Sequence, residues 1–301
     1  RVESRPREGS TIPAHGPGAG QGCERGRRLR LVNRSRDRKK GRGARPLLGQ
    51  YQESLGEGEE AHATEAIKRL LAKANLPTKA VNLSVSGQWV MMRVVEMPKL
   101  APAELSQALP FEAQRYVPFN MQEVILDGTI LGPAEGNKVW VLFVVCKREL
   151  LERRANWVKQ AGLEPALIDV DALALANAFV ASANGKALSE TTALVNVGAQ
   201  WTNLVVLKGH TPFLVRDIPW GATKLVRYLA EHVGIEEKVV ADQLKDPAAL
   251  SAQTKEALKQ GAESLAVELQ LSFDFFESRF GPPPAQVLAS GGLAQCAAFV
   301  E

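Results

Sequence analysis

The apolar residues of this chain come in short runs of strand length that alternate with helical patterns. The longest strongly apolar run, Val139 to Cys146, has the length of a strand, and no run approaches the roughly 20 residues that a membrane-spanning helix needs. The alternating pattern begins near Ala63 and contains two groups in which strand, turn and strand are followed by a helix. It predicts an α/β fold with mixed sheets over the rest of the chain.

Positive charge is concentrated at the start of the chain. The first 46 residues hold 14 Lys or Arg and 4 Asp or Glu, a net charge of +10, whereas the whole chain has a net charge of +4. Because this segment has no aromatic residue and no apolar periodicity, we expect residues 1–62 to form a disordered basic tail. Three interpretations of the tail stay open: an arm that binds nucleic acid, a contact with an anionic membrane face, and a segment that is not native to the protein.

Cysteine and histidine give no sign of a metal or disulfide framework. The three cysteines, Cys23, Cys146 and Cys296, are far apart and odd in number, and the four histidines are scattered without a ligand partner at metal-binding spacing. This usage fits a reducing, cytoplasmic setting. The sequence also contains no recognisable Ser/His/Asp or Cys/His arrangement for nucleophilic catalysis.

The second half of the sequence has a clear order of elements. Apolar runs at 192–197, 202–207 and 213–218 are separated by tight turns, which predicts three antiparallel strands in a meander. Helical patterns follow at about 222–233, 236–245 and 251–279, and a short strand at 286–289 leads into a glycine pair.

Two glycine-containing turns in this half are candidates for a ligand site. Asn196-Val197-Gly198-Ala199 ends one strand, and Ser290-Gly291-Gly292 joins another strand to a helix start. Glycine lets a ligand lie against the backbone, and the first N–H groups of a helix favour anions. Each turn alone is better explained as an ordinary hairpin or strand-to-helix connection, but together they predict a cleft.

The middle of the chain carries a more specific pattern. It contains Met97-Pro98, then Glu104-Leu105, then the run FEAQRYVPF from Phe111 to Phe119, and then Glu123-Val124 and Leu126-Asp127. This order resembles the small subdomain of the PilM family of type IV pilus assembly proteins, which belongs to the FtsA-like branch of the actin-like ATPase fold. The resemblance extends from about Ala63 to the last residue.

The resemblance implies an actin-like (ribonuclease H-like) fold with two lobes and a nucleotide cleft between them. It divides the sequence into a remainder of the first lobe at 63–95, an inserted small α+β subdomain at 96–146, a helix returning to the first lobe at 147–164, and a second lobe at 165–301. It also implies that the second lobe is incomplete at its C-terminus and that residues 1–62 are atypical.

ATP and Mg²⁺ are the cofactors that the resemblance implies. The family has Asp where this chain has Asn196, which would give only a weak, indirect metal contact because hard cations prefer anionic oxygen. The first phosphate loop of the family is not found in residues 1–62. We therefore expect ATP binding and hydrolysis to be weak or absent. By the resemblance, the cofactor-binding residues are Asn196, Gly198, Ala199 and Thr202 in the second phosphate loop, Ser290, Gly291 and Gly292 in the adenosine-side loop, and Gly221 and Lys245 on the nucleoside side.

The resemblance also implies a partner. The insert corresponds to the subdomain that helps to bind the short cytoplasmic N-terminus of PilN, and we expect Tyr116, Pro118 and Phe119 to contact this peptide. Tyr116 and Phe119 could instead pack the insert against the lobe. The implied function is a cytoplasmic nucleotide-binding scaffold, peripheral to the inner membrane, that joins platform and motor proteins of a type IV pilus or a type II secretion system. The alternatives are an active Mg-ATPase, a sugar kinase-like enzyme and nucleic-acid binding through the tail.

Overall fold

The computed structural model describes residues 59–74, 79–182, 190–246 and 250–300. The chain divides into two compact units. The first comprises the residues up to Val85 together with Trp89–Val170, and the second comprises Ser86–Gln88 and the residues from Asp171 onward. Most of the predicted basic tail, residues 1–58, lies outside the described residues. Helix α1 begins at Glu59, so residues 59–62 of the predicted tail are helical.

In its described residues, the first unit contains three α-helices and two sheets. Strands β1 and β5 pair in parallel, and the second sheet is antiparallel with the strand order β2-β4-β3. A 3₁₀ helix at Met121–Glu123 precedes β3. The elements are α1 (Glu59–Ala74), β1 (Ala80–Val85), β2 (Val90–Pro98), α2 (Pro102–Gln114), β3 (Val124–Pro133), β4 (Lys138–Lys147), α3 (Arg148–Gln160) and β5 (Glu164–Val170).

The core of the insert lies between α2 and the three-stranded sheet. Strand β4 is the central strand and is apolar from Val139 to Cys146, as expected for a strand that is covered on both faces. Leu105, Leu109 and Ala113 recur every four residues on α2, which places them on one face of the helix. All three are buried in one cluster with Phe143 of β4.

The predicted division into lobes and insert depends on strand pairing, which the structure describes. Strand β2, most of which was assigned to the first lobe, pairs with β4 along its whole length. Strand β5, which crosses the predicted start of the second lobe at 165, pairs with β1, and the two compact units change between Val170 and Asp171. The division into lobes and insert itself stays a prediction.

The second unit is built on a four-stranded sheet with the order β8-β7-β6-β9. The predicted meander is confirmed, since β6, β7 and β8 are antiparallel neighbours, and β9 joins β6 in parallel. The elements are α4 (Asp171–Ser182), β6 (Thr191–Val197), β7 (Thr202–Lys208), β8 (Thr211–Ile218), α5 (Ala222–Val233), α6 (Glu237–Gln243), α7 (Ala252–Phe280), β9 (Gln286–Gly291), a 3₁₀ helix at Gly292–Gln295 and α8 (Ala297–Val300).

Helix α7 is tied to the outer strand of this sheet by polar contacts. The guanidinium of Arg216 on β8 donates to Glu268 Oε2 at 2.6 Å and to Ser272 Oγ at 2.8 Å. Ser272 in turn donates to the carbonyl of Glu268, so the three groups hold each other in place. Although α7 is long, none of the helices in the described ranges is both long enough and apolar enough to cross a membrane.

Replacing Leu109 tests whether the α2 face holds the insert together. Leu109 is fully buried, whereas Phe111 on the same helix is 75% exposed. We expect Leu109→Ala to destabilise the insert by about 2–5 kcal/mol, because it leaves a cavity, and Phe111→Ala to cost less than about 1 kcal/mol. Thermal unfolding followed by circular dichroism measures both shifts. Equal shifts in the two variants would contradict the proposed core.

Candidate functional site

The two glycine-containing turns meet at one edge of the second unit's sheet. Strands β6 and β9 are parallel neighbours, so their carboxyl ends lie at the same edge. Asn196 stands opposite Ser290 in the register, and Val197 stands opposite Gly291. The two turns, which are far apart in sequence, therefore lie side by side. The predicted cleft requires this arrangement.

A row of polar side chains crosses the sheet at this edge. Ser290 of β9 lies opposite Asn196 of β6, Asn196 lies opposite Asn203 of β7, and Asn203 lies opposite Asp217 of β8. We call these four residues the polar row. Opposite residues of neighbouring strands project from the same face of a sheet, so these side chains can contact one another in sequence.

Hydrogen bonds join the polar row from end to end. Ser290 Oγ donates to Asn196 Oδ1 at 3.2 Å, and Asn196 Nδ2 donates to Asn203 Oδ1 at 3.0 Å. Asn203 Nδ2 then donates to Asp217 Oδ1 at 2.7 Å. The other carboxylate oxygen of Asp217 accepts from the backbone N–H of Gly87 at 2.8 Å, and Gly87 belongs to the same unit.

Asp217 is the charged end of this row. Burial raises the pKa of Asp217 above the ordinary value for an aspartate, and the hydrogen bonds from Gly87 and Asn203 act in the opposite direction. The negative charge of Asp171 adds a smaller upward contribution to the pKa. The carboxyl group is thus partly desolvated. The hydrogen bonds from Gly87 and Asn203 favour its ionised form.

Asn196 is occupied by protein partners at both ends of its amide. Its carbonyl oxygen accepts from Ser290 and its amide nitrogen donates to Asn203. In the described part of the chain there is also no cluster of three or more His, Cys, Asp or Glu side chains that could hold a metal ion. The residues present therefore do not fit a Mg²⁺ ion held directly by side chains at this position.

Glycine is required at two positions in these turns by the close approach of backbone. Gly291 has a φ of +94°, and a Cβ there would collide with the backbone of Val197. At Gly221 a Cβ would lie 2.5 Å from the carbonyl oxygen of Ala199. In contrast, a Cβ at Gly292 would meet no atom within 4 Å, so the backbone there is open to a ligand.

Thr202 and Lys245, two residues predicted to bind the nucleotide, each have a partner within the protein. Thr202 is fully buried, and its hydroxyl donates to the carbonyl of Trp220 at 2.8 Å, so the side chain holds the turn and does not face a ligand. Lys245 is exposed near the end of α6 and pairs with Asp242 at 2.7 Å. That partner lies on its own helix segment, and the contacts of Lys245 do not connect it to the polar row.

Helix α5 closes over the loop that precedes β7. Its first N–H groups, from Ala222 and Thr223, donate to the carbonyls of Gly198 and Ala199, each at 2.9 Å. A surface pocket of about 410 Å³ lies beside this loop and includes Ala199 together with Lys224 and Arg227 of α5. Sequence reasoning missed these two cations, because their position at the loop depends on the way in which α5 packs.

The predicted partner-binding residues lie at the end of α2. Tyr116 packs on the insert core next to Phe143, its hydroxyl donates to Glu112 Oε1 at 3.2 Å, and the guanidinium of Arg93 lies 4.4 Å from its ring centroid. All three contacts of Tyr116 are therefore to the helix and the sheet of the insert itself. Pro118 is exposed.

Phe119 belongs to a small aromatic cluster with a cation. Its ring centroid lies 6.2 Å from that of Trp89, and Lys147 Nζ lies 5.2 Å from the Phe119 ring and 4.4 Å from the Trp89 ring. The backbone N–H of Lys147 donates to the carbonyl of Trp89 at 3.0 Å, which fixes the pair. We call Trp89, Phe119 and Lys147 the aromatic cluster. Sequence reasoning missed Trp89 because only the pairing of β2 with β4 brings it to Lys147.

Comparison with known proteins decides the family. A family model described as "Type IV pilus assembly protein PilM" matches residues 56–301. This chain belongs to the PilM family. The family predicted from the insert motif is therefore confirmed, and so is the α/β actin-like fold.

Solved structures of PilM-like and other proteins resemble the chain to different extents. The "PilM-PilN type IV pilus biogenesis complex" is 25% identical, with a TM-score of 0.68 over 80% of this chain and 70% of that chain. The ethanolamine utilization protein EutJ from Carboxydothermus hydrogenoformans is 21% identical over 49% of each chain, with a TM-score of 0.37. The cytoplasmic domain of EpsL from the type II secretion system of Vibrio cholerae is 14% identical over 77% of each chain, with a TM-score of 0.41.

Introducing a carboxylate at position 196 tests the role of the polar row in this PilM-family protein. In Asn196→Asp, Asn203 has to donate both to the new carboxylate and to Asp217, and one of the two is left without its donor. We expect a loss of about 1–3 kcal/mol at pH 8. The new carboxyl group should have a raised pKa in the folded state, so the loss should shrink as the pH falls from that raised value towards the pKa of the unfolded chain.

Thermal unfolding of Asn196→Asp and the parent protein at pH 8 and pH 4.5 measures this effect. Asn137→Asp, at an exposed turn, is the matched control for an added charge. A loss in Asn196→Asp that is the same at both pH values would contradict the raised pKa, and no loss at pH 8 would show that the amide of Asn196 does not matter to the row.

Proposed function

We propose that this PilM-family protein is an actin-like scaffold of a type IV pilus platform that binds the N-terminal peptide of a PilN-like protein through the aromatic cluster of its insert. Two findings support the proposal: the family to which the chain belongs, and its likeness to a protein solved as a PilM–PilN complex. The location of the proposed site rests on one observation: the rings of Trp89 and Phe119 are in contact, and Lys147 lies beside both.

The aromatic cluster has the properties of a peptide-binding anchor. Trp89 is 37% exposed and Phe119 is half-buried, so each ring keeps part of its surface accessible to a ligand. Rings held in this way lose little conformational entropy on binding and often dominate the energy of an interface. Lys147 stacks on both rings, which leaves its ammonium close to any peptide that lies across them.

Tyr116 and Pro118 have different parts in this proposal. Tyr116 sets the geometry of the segment that follows α2, because its ring is fixed by the core and by Arg93. Pro118 fixes the backbone directly before Phe119 and is exposed to the peptide. Direct contact with the partner is therefore assigned to Pro118, Phe119 and Trp89.

The nucleotide part of the proposal is narrower. We expect a nucleotide, where one is bound, to lie against the glycine turns at Gly198–Ala199 and Gly291–Gly292. We do not expect it to be held by a metal ion on Asn196. Turnover is expected to be slow, since a Mg-ATPase needs a metal site and a residue that positions water. The scaffold would act at the cytoplasmic face of the inner membrane, held there by its partner and in contact with other platform and motor proteins.

Titration calorimetry with a synthetic N-terminal peptide of the cognate PilN-like protein tests the binding site. We expect Trp89→Ala and Phe119→Ala each to weaken binding about tenfold or more, because each removes an anchoring ring. Phe275→Ala is the matched control, since Phe275 is a comparably exposed aromatic residue on α7 in the other unit. Its affinity should stay within about twofold of the parent protein.

The outcomes of this titration are distinct. A loss of affinity confined to Trp89→Ala and Phe119→Ala supports the aromatic cluster as the binding site. Equal affinities in all four proteins would show that the peptide binds to another surface. If the parent protein itself does not bind the peptide, the scaffold proposal loses its partner.

A further inference from the structure

Two basic side chains of the insert lie over aromatic rings and have no acidic partner. The guanidinium carbon of Arg93 lies 4.4 Å from the centroid of the Tyr116 ring. Lys147 Nζ lies at the same distance, 4.4 Å, from the centroid of the Trp89 ring. Within the part of the chain that the structure describes, neither Arg93 nor Lys147 forms a side-chain hydrogen bond or an ion pair. Their positive charges are therefore not compensated by a carboxylate of the described residues.

The contact with Tyr116 leaves the hydrogen-bond donors of Arg93 unused. A guanidinium is planar and has five N–H donors in a fixed fork. The ring attracts the positive charge of Arg93 but offers no oxygen to these donors. Because Arg93 is exposed, an acceptor can reach them from solvent. The ring also restricts the side chain, so less conformational freedom is lost when an acceptor binds.

The second guanidinium beside the Tyr116 ring differs in this respect. The guanidinium carbon of Arg115 lies 5.8 Å from the ring centroid, and Arg115 Nη1 donates to both carboxylate oxygens of Glu112 at 3.2 Å. The Tyr116 hydroxyl also donates to Glu112. Glu112 is thus used by Arg115 and Tyr116, and Arg93 is the cation at this ring whose donors remain available.

Arg93 lies along the same border of the insert as the aromatic cluster. It belongs to β2, which is an edge strand of the insert sheet, and it follows Trp89 by four residues. At about 3.3 Å per residue, four residues of strand span about 13 Å. An extended peptide that reaches from the aromatic cluster to Arg93 therefore covers the distance with about four residues of its own.

From these contacts we propose that Arg93 binds a carboxylate of the partner peptide, at an acidic residue about four positions from the apolar residue that lies on the aromatic cluster. The proposal rests on the proposed function and specifies the chemistry of the peptide that binds there. A guanidinium and a carboxylate form two parallel hydrogen bonds, which give orientation as well as affinity. Lys147 adds a second positive charge beside the same peptide and favours an acidic partner over a basic one.

Titration calorimetry with the N-terminal peptide of the cognate PilN-like protein tests this contact. Each Asp or Glu of the peptide is replaced in turn by Asn or Gln. We expect Arg93→Gln to weaken binding of the unchanged peptide about fivefold or more, and one neutralised peptide to bind the parent protein equally weakly. When that peptide is combined with Arg93→Gln, the affinity should fall no further, because both changes remove the same pair.

Two further variants separate the proposed pair from a general effect of charge. Arg115→Gln is the matched control, since it removes a positive charge beside the same ring from a residue that already has Glu112 as its partner. Its affinity should stay within about twofold of the parent protein. Arg93→Lys keeps the charge but not the two parallel donors, so it should restore only part of the affinity that Arg93→Gln loses. Circular dichroism shows whether each variant is folded.

A second measurement tests the carboxylate site without the PilN-like peptide. The probe is the synthetic peptide Leu-Ser-Gly-Ser-Glu, blocked at both ends, and its control has Gln in place of Glu. Both are added at millimolar concentration to the ¹⁵N-labelled full chain, and the side-chain Nε–H signal of Arg93 is followed by NMR. We expect the Glu peptide to shift this signal at least about twice as far as the Gln peptide, because a hydrogen bond to a charged acceptor is stronger.

Each outcome supports or overturns a stated part of the account. Unchanged binding in a folded Arg93→Gln would overturn the proposal, and so would equal shifts with the two model peptides. Losses that add in full when Arg93→Gln meets every neutralised peptide would also overturn it. If Trp89→Ala and Phe119→Ala do not weaken binding but Arg93→Gln does, the carboxylate contact stands and the anchor of the proposed function fails. If the PilN-like peptide does not bind, that partner fails, and the model peptides still decide whether Arg93 takes a carboxylate.

Discussion

The parallel pairing of β6 with β9 is the contact on which the second unit's site depends. It places Asn196 opposite Ser290 and lets Gly291 lie against the backbone of Val197, so two turns from distant parts of the chain share one edge. The polar row then continues across β7 to Asp217 on β8. Because its members satisfy one another, the row stabilises the edge of the sheet and at the same time fixes the chemical character of the surface beside it.

The same row accounts for the amide at position 196 of this PilM-family chain. A carboxylate at position 196 would disturb the donors that Asn203 supplies to Asp217, whereas the neutral amide accepts and donates within the row. The second unit therefore has a hydrogen-bonded row of polar side chains along one edge of its sheet. The proposed binding of a partner peptide belongs to the insert of the first unit, where Phe119 and Trp89 lie beside Lys147.

Local sequence signals predicted the elements well, because turns and periodicity are local properties. The helix predicted at 222–233 is α5 with those bounds, and the three-stranded meander follows from its tight turns. Sheet membership could not be read in this way. Strand β2 has the same apolar pattern whichever sheet it joins, and β5 is assigned to the first unit only by its partner β1. The same limit applies to the site. Asn196 and Ser290 were predicted as site residues from their turns, but Asn203 and Asp217 join them only through the register of β7 and β8. The burial of the Thr202 side chain likewise depends on its contact with Trp220.

Hydrogen–deuterium exchange with and without the N-terminal peptide of the PilN-like partner can locate the peptide-binding surface, because it reports on every part of the full chain at once. Amides that are covered or stabilised by a ligand exchange more slowly. We expect protection on adding peptide to be concentrated at the start of β2, at residues 115–119 and at the end of β4, which are the segments that hold the aromatic cluster. Protection confined to the second unit, or none at all on binding, would contradict it.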